Sequence, residues 1–230
     1  MPTARTDPEL VAPRWHTSIL IAVILAVAAT GAAMTHGAPA SASPQSVSRI
    51  TTSYLPMIVV QCGLALYVCR IARPRSVLVP LLGERWTSVR RATFDLAIGF
   101  AGWLLIQAFE LAWARLVGAG AAPSVLGLLP TTLPERLVWV AVAASAGFCE
   151  EIVYRGYLQT QLTAFTGRAN LVTLLQAALF GIAHGEQGLR AVARVALYGL
   201  AFGALARWRR SLLPGVLCHI ATDLASGLLR

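Results

Sequence analysis

The sequence predicts an all-α protein, a bundle of about seven helices that cross a membrane. Of its 230 residues, 57% are hydrophobic and only 13% are charged, and the mean hydropathy is +0.66. A soluble domain of this size carries about 25% charged residues, so the deficit points to a lipid environment. Several apolar runs also approach the ~20 residues that a helix needs to cross the hydrocarbon core of a bilayer.

The predicted helices follow one another along the chain as seven apolar runs. They cover residues 18–34, 54–72, about 92–117, a fourth run that begins near Leu137, 169–184, 191–206 and 212–229. The fourth run continues past Arg155 to a turn at residues 164–168, and residues 77–82 form a candidate interfacial turn. Small residues after the first run also fit a signal-peptidase site, so this run is either a membrane anchor or a signal-like segment.

These elements divide the chain into three parts. Residues 1–53 hold the first helix or signal-like anchor and a loop rich in Ala, Ser and Pro. Residues 54–129 hold the second and third helices with an arginine-rich loop between them, and residues 130–230 form the C-terminal core. We find no internal repeat and no separate soluble domain.

The basic residues indicate how the chain is oriented in the membrane. The net charge is +9, every basic residue counted in the 19 Lys and Arg is an arginine, and these arginines cluster at the ends of apolar runs. This is typical of cytoplasmic anchoring and not of a nucleic-acid-binding surface. The arginine-rich loop between the second and third helices should therefore face the cytoplasm, and alternation from there puts Arg190 and Arg194 on the outer side, as exceptions. The signal-like start and the Ala- and Arg-rich composition favour a multi-pass integral protein of a bacterial inner (cytoplasmic) membrane.

Two adjacent carboxylates and an arginine stand out in the fourth helix. An ionisable side chain within a membrane helix costs about 2.5–3.5 kcal/mol on insertion scales, so it persists where it pairs or lines a wet cavity. Glu151 and Arg155 are four residues apart, the spacing that brings helical side chains together. Glu150 points about 100° away and is less compensated, which suits a general base or acid.

Two histidines provide further candidate site residues. Glu151 lies 16 residues before Gly167, at the predicted turn, and His184 lies 17 residues after it. An antiparallel hairpin would therefore place the carboxylates and the His184 imidazole at one depth. His219 and Asp223 share one face of the last helix, where Asp can orient the imidazole; the two histidines with carboxylates are also candidate metal ligands.

Three motifs in this region resemble those of a known family. "EEIVYR" (150–155) matches EExxxR, "FGIAH" (180–184) matches FxxxH, and "HIATD" (219–223) matches HxxxN/D. In this order, on apolar helices, they resemble the CAAX protease and bacteriocin-processing (CPBP, or Abi) family, which includes the Rce1-type prenyl proteases. The resemblance covers residues 130–230 and implies that they form the catalytic core of an intramembrane endopeptidase.

The resemblance also implies a role for each motif position. Glu150 and His184 would activate a water molecule, His219 and Asp223 would stabilise the oxyanion, and Glu151 and Arg155 would brace the site. Because an ionised Asp cannot donate a hydrogen bond, Asp223 either orients His219 or is protonated.

The expected reaction is cleavage of a membrane-anchored peptide or protein near its terminus by water that Glu and His activate. A metal-dependent mechanism stays open, with a divalent cation such as zinc on Glu150, His184 and His219, but the chain lacks the HExxH motif. The bilayer and such a substrate are the expected partners. Two alternatives are a non-catalytic immunity or scaffold protein of the same fold and a proton-coupled transporter.

Overall fold

The structure, a computed structural model, describes residues 10–37, 49–72, 88–118 and 123–229. Its helices are α1 (Arg14–Gly37), α2 (Leu55–Ala72), α3 (Val89–Val117), α4 (Pro123–Leu128), α5 (Leu133–Glu150), α6 (Gln159–Thr166), α7 (Ala169–Ile182), α8 (Leu189–Arg209) and α9 (Leu213–Leu228). A π-helical turn, Ile50–Tyr54, precedes α2, and a 3₁₀ turn, Gly185–Gln187, links α7 to α8. No strand occurs in the described ranges, so the all-α prediction is confirmed.

α5 and α6 belong to one continuous helix, because the π-helix Glu151–Leu158 joins them without a break. Counted this way, the helix number agrees with the prediction apart from the short α4, which the sequence analysis did not identify. The predicted turn after α6 is confirmed: Gly167 has φ +65°, a left-handed conformation that glycine adopts without steric cost. The candidate turn at residues 77–82 lies outside the described residues.

Five helices are long and apolar enough to cross a membrane, and they span Arg14–Met34, Ile50–Ala72, Val89–Val117, Leu133–Thr166 and Leu189–Arg209. The protein is therefore an integral, multi-pass membrane protein. The two remaining apolar helices, α7 with 14 residues and α9 with 16, are shorter than the ~20 residues of a full crossing.

α5 begins at Leu133, four residues before the predicted start, because a capping box forms at its N-terminus. The Thr132 side chain accepts a hydrogen bond from the Glu135 N–H, and the Glu135 carboxylate accepts from the Thr132 N–H at 3.1 Å. This exchange satisfies two backbone donors of the first turn. Arg49, which precedes α2, also forms an ion pair with Glu135 at 3.0 Å and so ties the two helix starts together.

Two ion pairs join α3 to α8 in an antiparallel arrangement. Asp95 contacts Arg209 at 2.7 Å, and Glu110 contacts Arg194 at 3.3 Å. The two acids are 15 residues apart (110 − 95), and so are the two arginines (209 − 194). The pairs therefore lie about 22 Å apart at opposite ends of the contact. The pair with Glu110 accounts for the position of Arg194, which the distribution of arginines between the two sides of the membrane did not.

α1 packs against the other helices of the bundle. Its Leu20 and Ile24 are buried in the same apolar cluster as Ile152 of the π-helix. The chain just before α1 is held by the buried Gln161 of α6, whose Oε1 accepts from the Val11 N–H at 2.7 Å. Its Nε2 donates to the Ala12 carbonyl oxygen at 2.6 Å. An amide with both ends bonded can be buried at little cost, so these contacts fix how α1 enters the bundle.

Candidate active site

The π-helix brings the Glu151–Arg155 pair into the centre of the protein. All eight of its residues are buried, and the Arg155 Nη1 donates to Glu151 Oε1 at 2.9 Å with both side chains fully buried. The Arg155 guanidinium also lies over the rings of Phe180 (4.3 Å) and Phe202 (5.3 Å). Glu151 and the two aromatic faces together compensate a charge that would otherwise be very costly to bury.

His219 of α9 lies between the two adjacent glutamates. Its Nδ1 is 3.2 Å from Glu151 Oε1, and its Nε2 is 3.8 Å from Glu150 Oε2. Asp223, one turn further along α9, brings its Oδ2 to 3.7 Å from the same Nε2. Neighbours on a helix point in different directions, so the two glutamates reach opposite edges of one imidazole ring. Glu151, and not Asp223, is therefore the group that hydrogen-bonds and orients His219.

A close contact between the backbones of α5 and α9 sets the distance between these two helices. A Cβ added to Gly147 would come within 2.5 Å of the Ile220 Cγ1 and 2.9 Å of the Ile220 backbone nitrogen. Only glycine allows the backbones to approach this closely. The His219 ring is held from the α8 side, where it stacks on Phe202 with a centroid separation of 5.1 Å and an interplanar angle of 19°.

His184 approaches the site without direct contact to the acids. α7 ends at Ile182, and in the turn that follows the His184 Nδ1 is 2.8 Å from the Phe180 carbonyl oxygen. Since a carbonyl only accepts, Nδ1 carries the proton and leaves Nε2 as an acceptor when the ring is neutral. The Phe180 ring packs on both imidazoles, at 5.0 Å from His184 and 5.9 Å from His219. No hydrogen bond or ion pair within the described chain joins His184 to Glu150 or Asp223.

Several buried polar atoms of the site have no hydrogen-bond partner in the part of the chain that the structure describes. They are Glu150 Oε2, Glu151 Oε2, Arg155 Nε and Arg155 Nη2. Most buried polar groups in proteins are paired with protein or ordered water, so a group of such atoms calls for a functional explanation. Of these, Glu150 Oε2 belongs to a side chain that keeps 17% of its exposure, so it can hydrogen-bond water or the polar backbone of a bound peptide.

One site residue was not foreseen. Gln61 of α2 donates from Nε2 to Glu150 Oε1 at 3.2 Å and accepts at Oε1 from the Ser145 hydroxyl at 2.9 Å. The sequence analysis placed the whole site in the C-terminal core and did not weigh amides in α2. A lone glutamine within the apolar run 54–72 was the available signal.

The metal-binding alternative finds little support in the geometry. No group of three or more His, Cys, Asp or Glu side chains among the described residues is arranged to hold a metal ion. Of the three candidate ligands, Glu150 and His219 face each other at 3.8 Å, but His184 makes no hydrogen bond or ion pair with Glu150 in the described part of the chain. The three are therefore not grouped as a zinc site, and we derive no step through one.

An apolar cavity of about 350 Å³ opens between α3, α8 and α9, next to the site. Its walls include Ile106, Phe109, Tyr198, Phe202 and Cys218. Phe202 also stacks on His219, so this ring is shared by the cavity wall and the site.

Comparison with known proteins agrees with the motifs. Residues 132–225 match the family model described as type II CAAX prenyl endopeptidase Rce1-like, and this segment contains all three motifs. The family resemblance predicted from the motifs is therefore confirmed for these residues, which are less than half of the chain. No curated protein and no solved structure gives a significant match.

Proposed function

We propose that the protein is an intramembrane endopeptidase of the CAAX-protease type in which Glu150 activates the attacking water. The observation that carries this is the buried Glu150 Oε2, which has no hydrogen-bond partner in the described part of the chain and lies opposite His219 Nε2 at 3.8 Å, within the segment that matches a protease family. An acid and an imidazole that both face a buried polar gap are the groups that water-dependent peptide hydrolysis needs.

The residues around the gap suit the steps of such a hydrolysis. Water bound at Glu150 Oε2 transfers a proton to the carboxylate as its oxygen attacks the peptide carbonyl carbon. A doubly protonated His219 donates Nδ1–H to Glu151 and offers Nε2–H to the developing oxyanion. As the C–N bond breaks, the Glu150 proton moves to the leaving amine and restores the carboxylate.

The other motif residues act around this reaction centre in the proposal. Arg155 neutralises Glu151, which lets that carboxylate hold His219 without competing for the water. Asp223 lies near His219 Nε2 and stabilises the protonated ring. His184, with Nε2 as acceptor, takes part in water binding once a substrate or water spans the distance to Glu150.

The proposed substrate is a membrane-anchored peptide or protein that is cut near its terminus. The cavity beside His219 is apolar, and it lies between helices that are themselves lipid-facing, so an apolar part of the substrate can enter from the membrane. The proposed location is a bacterial inner membrane, which the signal-like start and the Ala- and Arg-rich composition favour.

The test measures peptide cleavage by the purified protein in proteoliposomes. The probes are quenched-fluorescence peptides that carry either an isoprenyl or an acyl anchor. We expect the wild-type chain to cleave at least one of them, and Glu150→Gln to lower kcat about 100- to 10,000-fold, the usual range for loss of a general base.

Glu110→Gln is the matched control, because it removes another carboxylate from a membrane helix but one that pairs with Arg194 outside the site. Its cleavage rate should equal that of the wild type. Undiminished cleavage by Glu150→Gln would refute the role of Glu150. A wild-type chain that cleaves neither class of peptide would instead favour a non-catalytic scaffold.

A further inference from the structure

The glutamine on α2 occupies a place that the family match does not cover. Gln61 lies well before residues 132–225, yet it is hydrogen-bonded to Glu150. Next to it, Cys62 Sγ is 3.9 Å from Cys149 Sγ, the thiol of the residue before Glu150. Two consecutive residues of α2 therefore contact two consecutive residues of α5, which fixes α2 against the site.

The orientation of the Gln61 amide follows from its partners. An ionised carboxylate only accepts, so the amide NH₂ must face Glu150 Oε1 and the amide oxygen must face Ser145. The Ser145 hydroxyl is 2.9 Å from Gln61 Oε1 and also 2.9 Å from the Val142 carbonyl oxygen, so its single proton is shared between two acceptors. The amide is thus held at both ends.

We propose that Gln61 is a positioning residue, which fixes the Glu150 carboxylate so that Oε1 is occupied and Oε2 faces His219. This inference rests on the proposed function. The terminal torsion of a glutamate side chain is broad, so without a fixed donor the plane of the carboxylate can rotate and turn its oxygens away from His219. With Gln61 in place, one oxygen is bonded, and the other stays unpaired at 3.8 Å from His219 Nε2.

The effect expected from losing Gln61 is on turnover and not on substrate binding. The amide contacts Glu150 and Ser145 but does not line the apolar cavity next to His219. Gln61→Met keeps the length of the side chain and removes both hydrogen bonds. Loss of a hydrogen bond to a charged group corresponds to about a 10- to 100-fold change, which we expect in kcat with KM unchanged.

The experiment compares Gln61→Met with two further variants in the same proteoliposome assay. Ser145→Ala removes only the group that orients the amide, so it should lower kcat less, by about 3- to 10-fold. Gln107→Met makes the same substitution at an exposed position of α3 and should leave both kcat and KM unchanged. If Gln61→Met fails to fold, Ser145→Ala decides the question alone.

A second readout does not depend on cleavage. The infrared carboxylate band of Glu150, identified as the band lost in Glu150→Gln, should shift in Gln61→Met and stay in place in Gln107→Met, because a hydrogen bond at one oxygen alters the carboxylate stretch. A simple packing role for Gln61 would lower the unfolding temperature without moving this band.

The outcomes separate the two proposals. If the wild type cleaves a peptide and Glu150→Gln does not, but Gln61→Met keeps the wild-type kcat and an unshifted band, the positioning role is overturned and the peptidase stands. If the wild type cleaves no peptide, the proposed function fails together with any catalytic role of Gln61. In that case an unshifted band would also refute the contact with Glu150.

Discussion

Two regions of this protein hold ionised side chains within apolar helices, and they differ in how completely those charges are hidden. In the α3–α8 contact, Glu110 and Arg194 keep 27% and 20% of their exposure, and Arg209 keeps 20% although its partner Asp95 is buried. The site pairs Glu151 with Arg155 at 0% for both. The ion pairs of the α3–α8 contact hold two helices together near their ends, whereas the Glu151–Arg155 pair lies where no solvent reaches it.

The difference shows how structural and functional acids can be told apart in a membrane bundle. Asp95 and Glu110 each face an arginine on one neighbouring helix, and that contact accounts for their position. Glu150 and Glu151 instead share His219, and each keeps one buried oxygen without a hydrogen-bond partner in the described part of the chain. Buried, incompletely paired groups are costly, which is the physical reason to assign them a function.

The largest stability effect should follow from breaking the fully buried pair. Arg155→Met leaves the Glu151 charge uncompensated, so we expect a loss of about 3–5 kcal/mol in the free energy of unfolding. The measurement is denaturant or thermal unfolding in detergent micelles. The double variant Glu151→Gln with Arg155→Met should recover part of the loss, since it removes both charges. A single variant as stable as the wild type would contradict the contrast between the two regions.

A smaller effect is expected at the α3–α8 contact. Glu110→Gln should lower the free energy of unfolding by about 1 kcal/mol or less, because partly exposed ion pairs contribute little. A double-mutant cycle with Arg194→Gln measures the coupling directly. A coupling as large as that between Glu151 and Arg155 would show that exposure does not distinguish the two regions.

Metal removal should have the smallest effect. Because the candidate donors are not grouped as metal ligands, incubation with a strong chelator should leave peptide cleavage unchanged. Activity is measured before and after dialysis against the chelator, with addition of Zn²⁺ as the control. If the chelator abolishes cleavage and Zn²⁺ restores it, the expectation is contradicted and the metal-dependent mechanism is supported.

Local spacing was enough to predict one of the contacts in the site. Glu151 and Arg155 are one helical turn apart, so their pairing depends on little beyond the helix itself, and the structure contains it. The hairpin argument was also useful, because the helix does run past Arg155 to the turn at Gly167. It fixed depth alone, however, and not the direction of the side chain, so His184 lies against Phe180 and not against the glutamates.

The sequence analysis grouped His219 with the carboxylates but did not identify which of them it contacts, and it missed Gln61, for a common reason. His219 meets Glu151 across 68 positions of the chain, and Gln61 meets Glu150 across 89. Periodicity gives the face of a helix that is apolar, but in a chain that is apolar on most faces it does not select which neighbour a polar residue meets. The rotation of each helix decides this, and close contacts such as that of Gly147 with Ile220 set it.

The sequence by itself determined the helical architecture, the membrane environment and the set of polar residues of the core, because hydropathy and the cost of ionisable groups in lipid act on single segments. The tertiary structure decided that His219 is the imidazole between the two carboxylates, that α2 supplies Gln61 and that Arg194 belongs to Glu110. These pairings depend on the rotation and axial shift of whole helices, which follow from packing over their full length and not from the spacing of any one motif.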